Sequence, residues 1–166
     1  MTHWGIRPLT PEYTRGLAEC HIACWREAYR GLVPDQLLDA FEIEPATRRW
    51  ARNLERHPGS IHVAVSDDVV VGFAGATENK AESAVAEIEL QALYVRSPWY
   101  GSGLAAELLW TAVDPARSSS LWVFEGNPRA RSFYRKHGFA LDGGTKLEEF
   151  TPALQVRMVR PARVQE

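Results

Sequence analysis

The stretch "SPWYGSGLAAELL", residues 97–109, sets two glycines one residue apart between an apolar run, "ALYV", and a segment with helical spacing. Glycine lets the backbone come close to a ligand with no Cβ to intrude, and a helix start presents N–H groups without acceptors. Together these make a seat for an anion, a phosphate group above all. Leu104, Leu108, Leu109 and Ala112 fall on one helical face, and the helix is expected to close near Asp114-Pro115.

Three kinds of phosphate loop compete for this pattern. A nucleoside-triphosphate loop needs Lys and then Ser or Thr after its last glycine. Leu104-Ala105-Ala106 stand there instead, which excludes it. A dinucleotide fingerprint fits Gly101, Gly103 and Ala106 as G-x-G-x-x-A, with Glu125 about twenty residues further on as the ribose-binding acid. Against that reading, "RSPWY" separates Val95 from Gly101, and too little chain follows Glu125 for further strand–helix units. The third kind holds a pyrophosphate on backbone amides alone, with glycines letting the chain approach closely. The sequence lacks nothing that this third kind requires.

At 166 residues the chain is expected to form one domain over 1–166. A net charge of −2 without a basic stripe argues against a nucleic-acid partner. The start "MTHWGIRPLT" has neither the basic residues nor the apolar core of a signal peptide, and no apolar run approaches the ~20 residues of a membrane span. A cytoplasmic location is therefore expected. Cys20 and Cys24, the only cysteines, share a helix face beside His21. A structural zinc site takes four ligands and no converging set is suggested, so the expectation is no metal and two inert, buried thiols.

Periodicity orders the elements as strand, helices, three strands, helix, strand, helix, two strands. "WGIR" opens as a strand, Thr10-Pro11 start a helix that runs to about Arg30, and "PDQLLDAF" and "PATRRWARNLERH" give two more. "IHVAVS" and "VVVGFAGA" flank a hairpin turn at Asp67-Asp68, and "AVAEIELQALYV" reads as a longer strand. "SLWVF" is a strand, "NPRARSFYRKHG" a helix, and "FALDGG" with "ALQVRMV" a closing strand pair. This is a mixed α/β domain with an antiparallel front and a helix-linked parallel section.

"ELQALYVRSPWYGSGLAAELL" and "LWVFEGNPRARSFYRKHGF", taken together, resemble the GNAT superfamily of acetyl-CoA-dependent N-acetyltransferases. The family's turn reads Gln or Arg, two residues, Gly, one residue, Gly or Ala. Gly103 and Ala105 fit it, while Tyr100 replaces the Gln or Arg. The second block matches through Asn127, Phe133, Tyr134 and Gly138-Phe139, and "IRPLTPEYTRGLAECHIACWREAYRGLVP" resembles the start of many small bacterial members. The resemblance implies a central, mostly antiparallel sheet of about seven strands flanked by helices, with acetyl-CoA as co-substrate. The acceptor would be a small-molecule or peptide amine, and homodimers are frequent among similar proteins.

It also implies roles. Backbone amides of Tyr100, Gly101, Ser102, Gly103, Leu104, Ala105 and Ala106 would hold the pyrophosphate. Leu93, Tyr94 and Val95 would offer main-chain bonds to the pantetheine arm, with the oxyanion stabilised near Leu93. Glu87 or Glu89, on one face of the preceding strand, would be the general base, with Glu89 the closer match. Tyr134 would protonate the leaving thiolate, while Phe133 beside it packs in the core. Asn127 either caps the helix at Pro128 or binds the pantetheine amides, the second being favoured. Trp25 and Tyr29, on the first helix, would border the acceptor amine. Two other classes stay open: a non-catalytic coenzyme A sensor on the same fold, and a dinucleotide-binding oxidoreductase.

Overall fold

The structure is a computed structural model that describes residues 3–149 and 151–164. In chain order it contains β1 (Gly5–Pro8), α1 (Thr14–Tyr29), α2 (Asp35–Asp39), α3 (Ile43–Arg56), β2 (Ile61–Ser66), β3 (Val69–Glu78), β4 (Ile88–Val95), α4 (Leu104–Ala112), β5 (Ser119–Phe124), α5 (Pro128–Lys136), β6 (Ala140–Leu147) and β7 (Leu154–Arg160). The strands form one seven-stranded sheet in the order β1-β2-β3-β4-β5-β7-β6. β4 and β5 run parallel, and the β1–β2, β2–β3, β5–β7 and β6–β7 ladders are antiparallel. This is the mixed class that the periodicity predicts.

The hairpin between β2 and β3 turns on Asp67 and Asp68, with φ of 48° and 62°. Two successive left-handed residues make the turn whose twist suits a two-residue hairpin, and Asp tolerates that conformation better than most side chains. Several boundaries differ from expectation, among them β6, which runs on to Leu147 beyond "FALDGG". Thr10 is extended and makes no side-chain cap; a 3-10 turn, Pro11–Tyr13, comes first. The hydroxyl of Thr14 then donates to the Pro11 carbonyl at 2.9 Å as α1 begins. β4 starts at Ile88 rather than at "AVAE", because the chain is still turning there, with Ala84 N–H bonded to the Ala81 carbonyl at 3.0 Å. α3 starts at Ile43, which leaves Pro45 in its first turn, where a missing N–H costs no helix bond.

The chain falls into two compact units. One comprises the chain up to Gly75 together with Ala92–Ala112; the other comprises Ala76–Gln91 and the chain from Val113 onward. The first unit has a core on each face of its strands. Leu17, Cys20 and Cys24 of α1 pack with Val63, Val65, Val70 and Phe73, and Ala92 and Tyr94 of β4 join them. Leu104 and Leu108 of α4 pack with Ala64, Val71, Ala74 and Val95, and Leu93 joins that side. Each fully buried side chain of this size contributes about 1.5–3 kcal/mol. α3 lays Ile43, Ala46, Trp50 and Leu54 along one side at helical spacing, and these pack on α1 and the strands. Cys20 and Cys24 are buried free thiols with their sulfurs 3.9 Å apart.

His21 lies on the apolar stripe of α1 among rings of Trp25, Trp50, Phe73 and Tyr94, with centroids 5.5–5.6 Å away. Burial, helped by the positive charge of Arg49, pushes its pKa down to about 4. β3 passes β4 unusually closely at Gly72. A Cβ there would lie 3.0 Å from the Tyr94 carbonyl oxygen, 3.1 Å from Leu108 and 3.4 Å from Val95.

The second unit builds its core between facing strands. Leu121 stands opposite Met158 and Val123 opposite Val156 across the β5–β7 ladder, and all four are buried. Tyr134 of α5 packs edge-on against Phe139 at 5.7 Å, and both are buried. Phe133 is only half-buried and lies against His137 at 4.7 Å. The core aromatic of this helix is thus Tyr134, not Phe133 as expected, because Tyr134 is the one on the buried side.

Gly72→Ala is expected to lower stability by about 1–3 kcal/mol in urea unfolding, since its nearest obstacle is backbone and cannot swing aside. His21 also makes stability pH-dependent. As pH falls from about 6.5 to about 4, the unfolded chain takes up the imidazole proton before the folded chain does. Stability should drop by on the order of 3 kcal/mol across that window and hold above it. Unfolding free energies at pH 7.5 and 4.5, with His21→Gln as comparison, measure the difference; an imidazole titration midpoint near 6.5 would refute the assignment.

Candidate active site

In the first unit, Arg96 to Leu104 carries the chain from β4 into α4 through a continuous set of hydrogen bonds. The Arg96 amide bonds to the Val71 carbonyl at 2.9 Å, fixing the end of β4 to β3. A 3-10 turn, Ser97–Trp99, follows, with Trp99 N–H donating to Arg96 O at 2.9 Å and Tyr100 N–H to Ser97 O at 3.1 Å. Ser102 donates from its amide and from its hydroxyl to the Trp99 carbonyl, and its hydroxyl accepts from the Leu104 amide at 3.3 Å. Gly101 and Gly103 have φ of +76° and +93°, and an added Cβ at either meets nothing within 4 Å. Conformation rather than crowding within the protein therefore demands glycine at both.

The first i→i−4 bond of α4 is Glu107 N–H to Gly103 O, at 3.2 Å. The amides of Ala105 and Ala106 precede it and so have no acceptor within the helix. They sit at the positive end of the helix dipole, where an anion is favoured. Gly101, Ser102 and Gly103 are exposed, while Ala105 and Ala106 are half-buried. Trp4 braces this start: its indole N–H donates to Glu107 at 2.7 Å, and its ring meets Trp99 edge-on at 6.2 Å.

Of the β4 positions, Leu93 and Val95 face the α4 core and Tyr94 faces the α1 core. The parallel ladder of β4 with β5 spans Ile88↔Ser119 to Leu90↔Leu121, and β4 continues beyond it to Val95. Trp25 and Tyr29 meet edge-on at 5.0 Å, and the Tyr29 hydroxyl lies 3.1 Å from that of Tyr94. Burial pushes the Tyr94 phenol up in pKa, against hydrogen bonds from Tyr29 and Trp25. The structure therefore brings both acceptor-side candidates and one coenzyme-side candidate into a single aromatic group.

Glu27, on the same helix, has its carboxylate engaged at both oxygens. One pairs with Arg96 Nε and the other accepts from the Ser97 amide at 2.7 Å. Burial alone would raise its pKa, but the bonds from Ser97 and Arg96 outweigh burial and hold it below the usual carboxylate range. The resemblance puts Glu27, with Trp25 and Tyr29, on the helix bordering the amine, but nothing in either local stretch points to its pairing with Arg96.

The remaining candidates belong to the second unit. Glu87 is exposed, and its carboxylate accepts from the Ser118 amide at 3.0 Å and faces Arg117 Nε at 3.8 Å. Glu89 is half-buried within β4, opposite Ser120. Asn127 caps α5, its side-chain oxygen accepting from the Ala130 amide at 3.3 Å. That bond is the capping alternative, and it leaves the side-chain NH₂ uninvolved. Tyr134, seven positions further along α5, is buried beside Phe133 and Phe139. The Arg131 guanidinium donates to the Glu125 carbonyl at 3.0 Å.

Comparison with known proteins places this arrangement. Residues 18–139 match the family described as Acetyltransferase (GNAT) family. A probable N-acetyltransferase of Mycobacterium tuberculosis is 28% identical over 144 residues, covering 84% of this chain and 82% of its own length. An uncharacterized N-acetyltransferase of Mycobacterium bovis is 30% identical over 117 residues, 68% of this chain and 72% of that one. Among solved structures, the PaiA N-acetyltransferase of Thermoplasma acidophilum, in complex with coenzyme A, is similar with a TM-score of 0.69 at 18% identity, covering 96% of this chain and 99% of that one. An Arabidopsis thaliana protein in complex with the bisubstrate analogue CoA-Ac-MVNAL has a TM-score of 0.66 at 18% identity, over 95% and 97% of the two chains. The chain belongs to the acetyltransferase (GNAT) family.

Proposed function

We propose that this acetyltransferase moves an acetyl group from acetyl-CoA to a primary amine by direct attack in a ternary complex. The observation that carries the reading is the glycine turn ahead of α4, with two amides facing no helical acceptor and no lysine required. The amides of Gly101, Gly103, Ala105 and Ala106 bind the pyrophosphate, those of Tyr100, Ser102 and Leu104 shape the turn through their internal bonds, and the main chain of Leu93, Tyr94 and Val95 binds the pantetheine arm. The NH₂ group of Asn127 donates to that arm while its oxygen keeps the helix cap.

In the reaction, Glu89 takes a proton from the ammonium form of the acceptor through a water, and the amine nitrogen attacks the thioester carbonyl carbon. Charge on the oxygen is stabilised by a backbone N–H near Leu93. The C–S bond then breaks, the nitrogen gives its remaining surplus proton to water, and the Tyr134 phenol, later reprotonated from solvent, gives its proton to the thiolate, two groups of similar basicity. Between the two glutamates, Glu89 suits the base role, because the Glu87 carboxylate already serves Ser118 and Arg117. Trp25 and Tyr29 border the acceptor, a small-molecule or peptide amine. Both cysteines lie in the α1 core, so the route needs no acetyl-enzyme.

Thiol release from acetyl-CoA over a panel of amines tests turnover; coenzyme A binding without release for any amine would favour the sensor reading. Tyr134→Phe should cut kcat about 10²-fold with little change in coenzyme A affinity. Glu89→Gln should be impaired at pH 7 and recover at pH 9.5, where free amine is abundant, whereas Glu87→Gln should lack that recovery. Gly103→Ala should cost about 1–2 kcal/mol from its left-handed backbone and raise the KM for acetyl-CoA severalfold. Unchanged KM would remove the turn from the site.

A further inference from the structure

We infer that Glu27 is a positioning residue for the coenzyme turn, acting from α1 through Arg96 and Ser97. The inference rests on the proposed reading of that turn, and the geometry behind it stands independently. Two polar anchors hold the start of the stretch from Arg96 to Leu104, while Trp99 and Leu104 further along pack in the α4 core. One is the Arg96 amide on the Val71 carbonyl, which belongs to the sheet. The other is the Glu27 carboxylate, which holds the Arg96 guanidinium and the Ser97 amide together. Beyond Ser97 a run of internal hydrogen bonds shapes the turn: Trp99 to Arg96, Tyr100 to Ser97, Ser102 to Trp99, Leu104 to Ser102. The exposed glycines have no side chains to pack.

Glu27 is suited to this work. Its side chain is only 20% exposed, that of Arg96 37%, and a carboxylate receiving two donors at fixed angles orients both. Other ion pairs of α1, such as Arg15 with Glu19, join exposed side chains and hold no loop. Glu27 also lies between Trp25 and Tyr29 in sequence, so one helical segment carries both the acceptor-side rings and the hold on the coenzyme turn.

The test compares Glu27→Ala, Glu27→Gln and Arg15→Ala in the full chain. Amide hydrogen exchange of residues 97–105 without any ligand reads the order of the turn, whatever it binds. Calorimetry with coenzyme A and steady-state kinetics with acetyl-CoA read the functional consequence. Glu27→Ala should speed exchange there at least tenfold and raise the coenzyme A Kd and acetyl-CoA KM about tenfold, with kcat within twofold. Glu27→Gln, which keeps an acceptor for the Ser97 amide, should recover part of each, and Arg15→Ala should match the wild type. Unchanged exchange in Glu27→Ala overturns the inference, as does a uniform rise over the whole chain, which would mark general destabilisation. A local rise in exchange, with a wild type that binds no coenzyme A, would uphold the anchoring and sink the functional reading instead.

Discussion

The main constraint in the first unit is that β4 has no spare face. Tyr94 and Ala92 close the core under α1, while Leu93 and Val95 close the core under α4. At Gly72 of β3 an added methyl group would press on the Tyr94 carbonyl oxygen at 3.0 Å. The strand cannot shift along its axis or roll without unpacking one core or the other. Its end at Val95 is therefore a fixed point, and the turn to α4 starts from there. A binding site built from backbone amides needs such a start, because it has no side chains with which to adjust.

Much of this was legible in the sequence where the cause is local. Asp67-Asp68 between two apolar runs gave the hairpin, and the alternation in "ELQALYV" gave the two-faced strand. The glycines at 101 and 103, followed by leucines at helical spacing, pointed to the loop and the helix start, while their left-handed backbone came only with the structure. Boundaries were less readable where two local signals compete. Thr10 stands where a cap is useful, but a 3-10 turn follows it and α1 begins at Thr14 with no side-chain cap, the Thr14 hydroxyl donating to the Pro11 carbonyl instead. Phe133 and Tyr134 are adjacent aromatics of similar size, and only the seating of α5 determines which is buried.

Side-chain commitments across long separations were not legible at all. Glu27 and Arg96 are 69 residues apart, and Glu87 and Ser118 are 31 apart. Each is an ordinary polar residue in its own neighbourhood. The family resemblance located Glu87 and Glu89 as alternatives, and the structure distinguished their surroundings: one carboxylate is bound to a neighbouring loop, the other sits half-buried in the strand. Similarly, Asn127 presented capping and ligand binding as rivals, whereas an amide has an oxygen and a nitrogen to divide between them.

The hairpin of β2 and β3 carries a bulge whose effect reaches the interior. Ala64 pairs with Gly72 and Val65 with Val70, so Val71 is an extra residue in the ladder. It lets Val70 and Phe73, an odd number of steps apart, look the same way, toward α1, while Val71 and Ala74 look toward α4. Deleting Val71 would leave Val70, Gly72 and Phe73 alternating regularly opposite Val65, Ala64 and Val63, each on the face it already occupies, and the α4 core alone would lose a side chain.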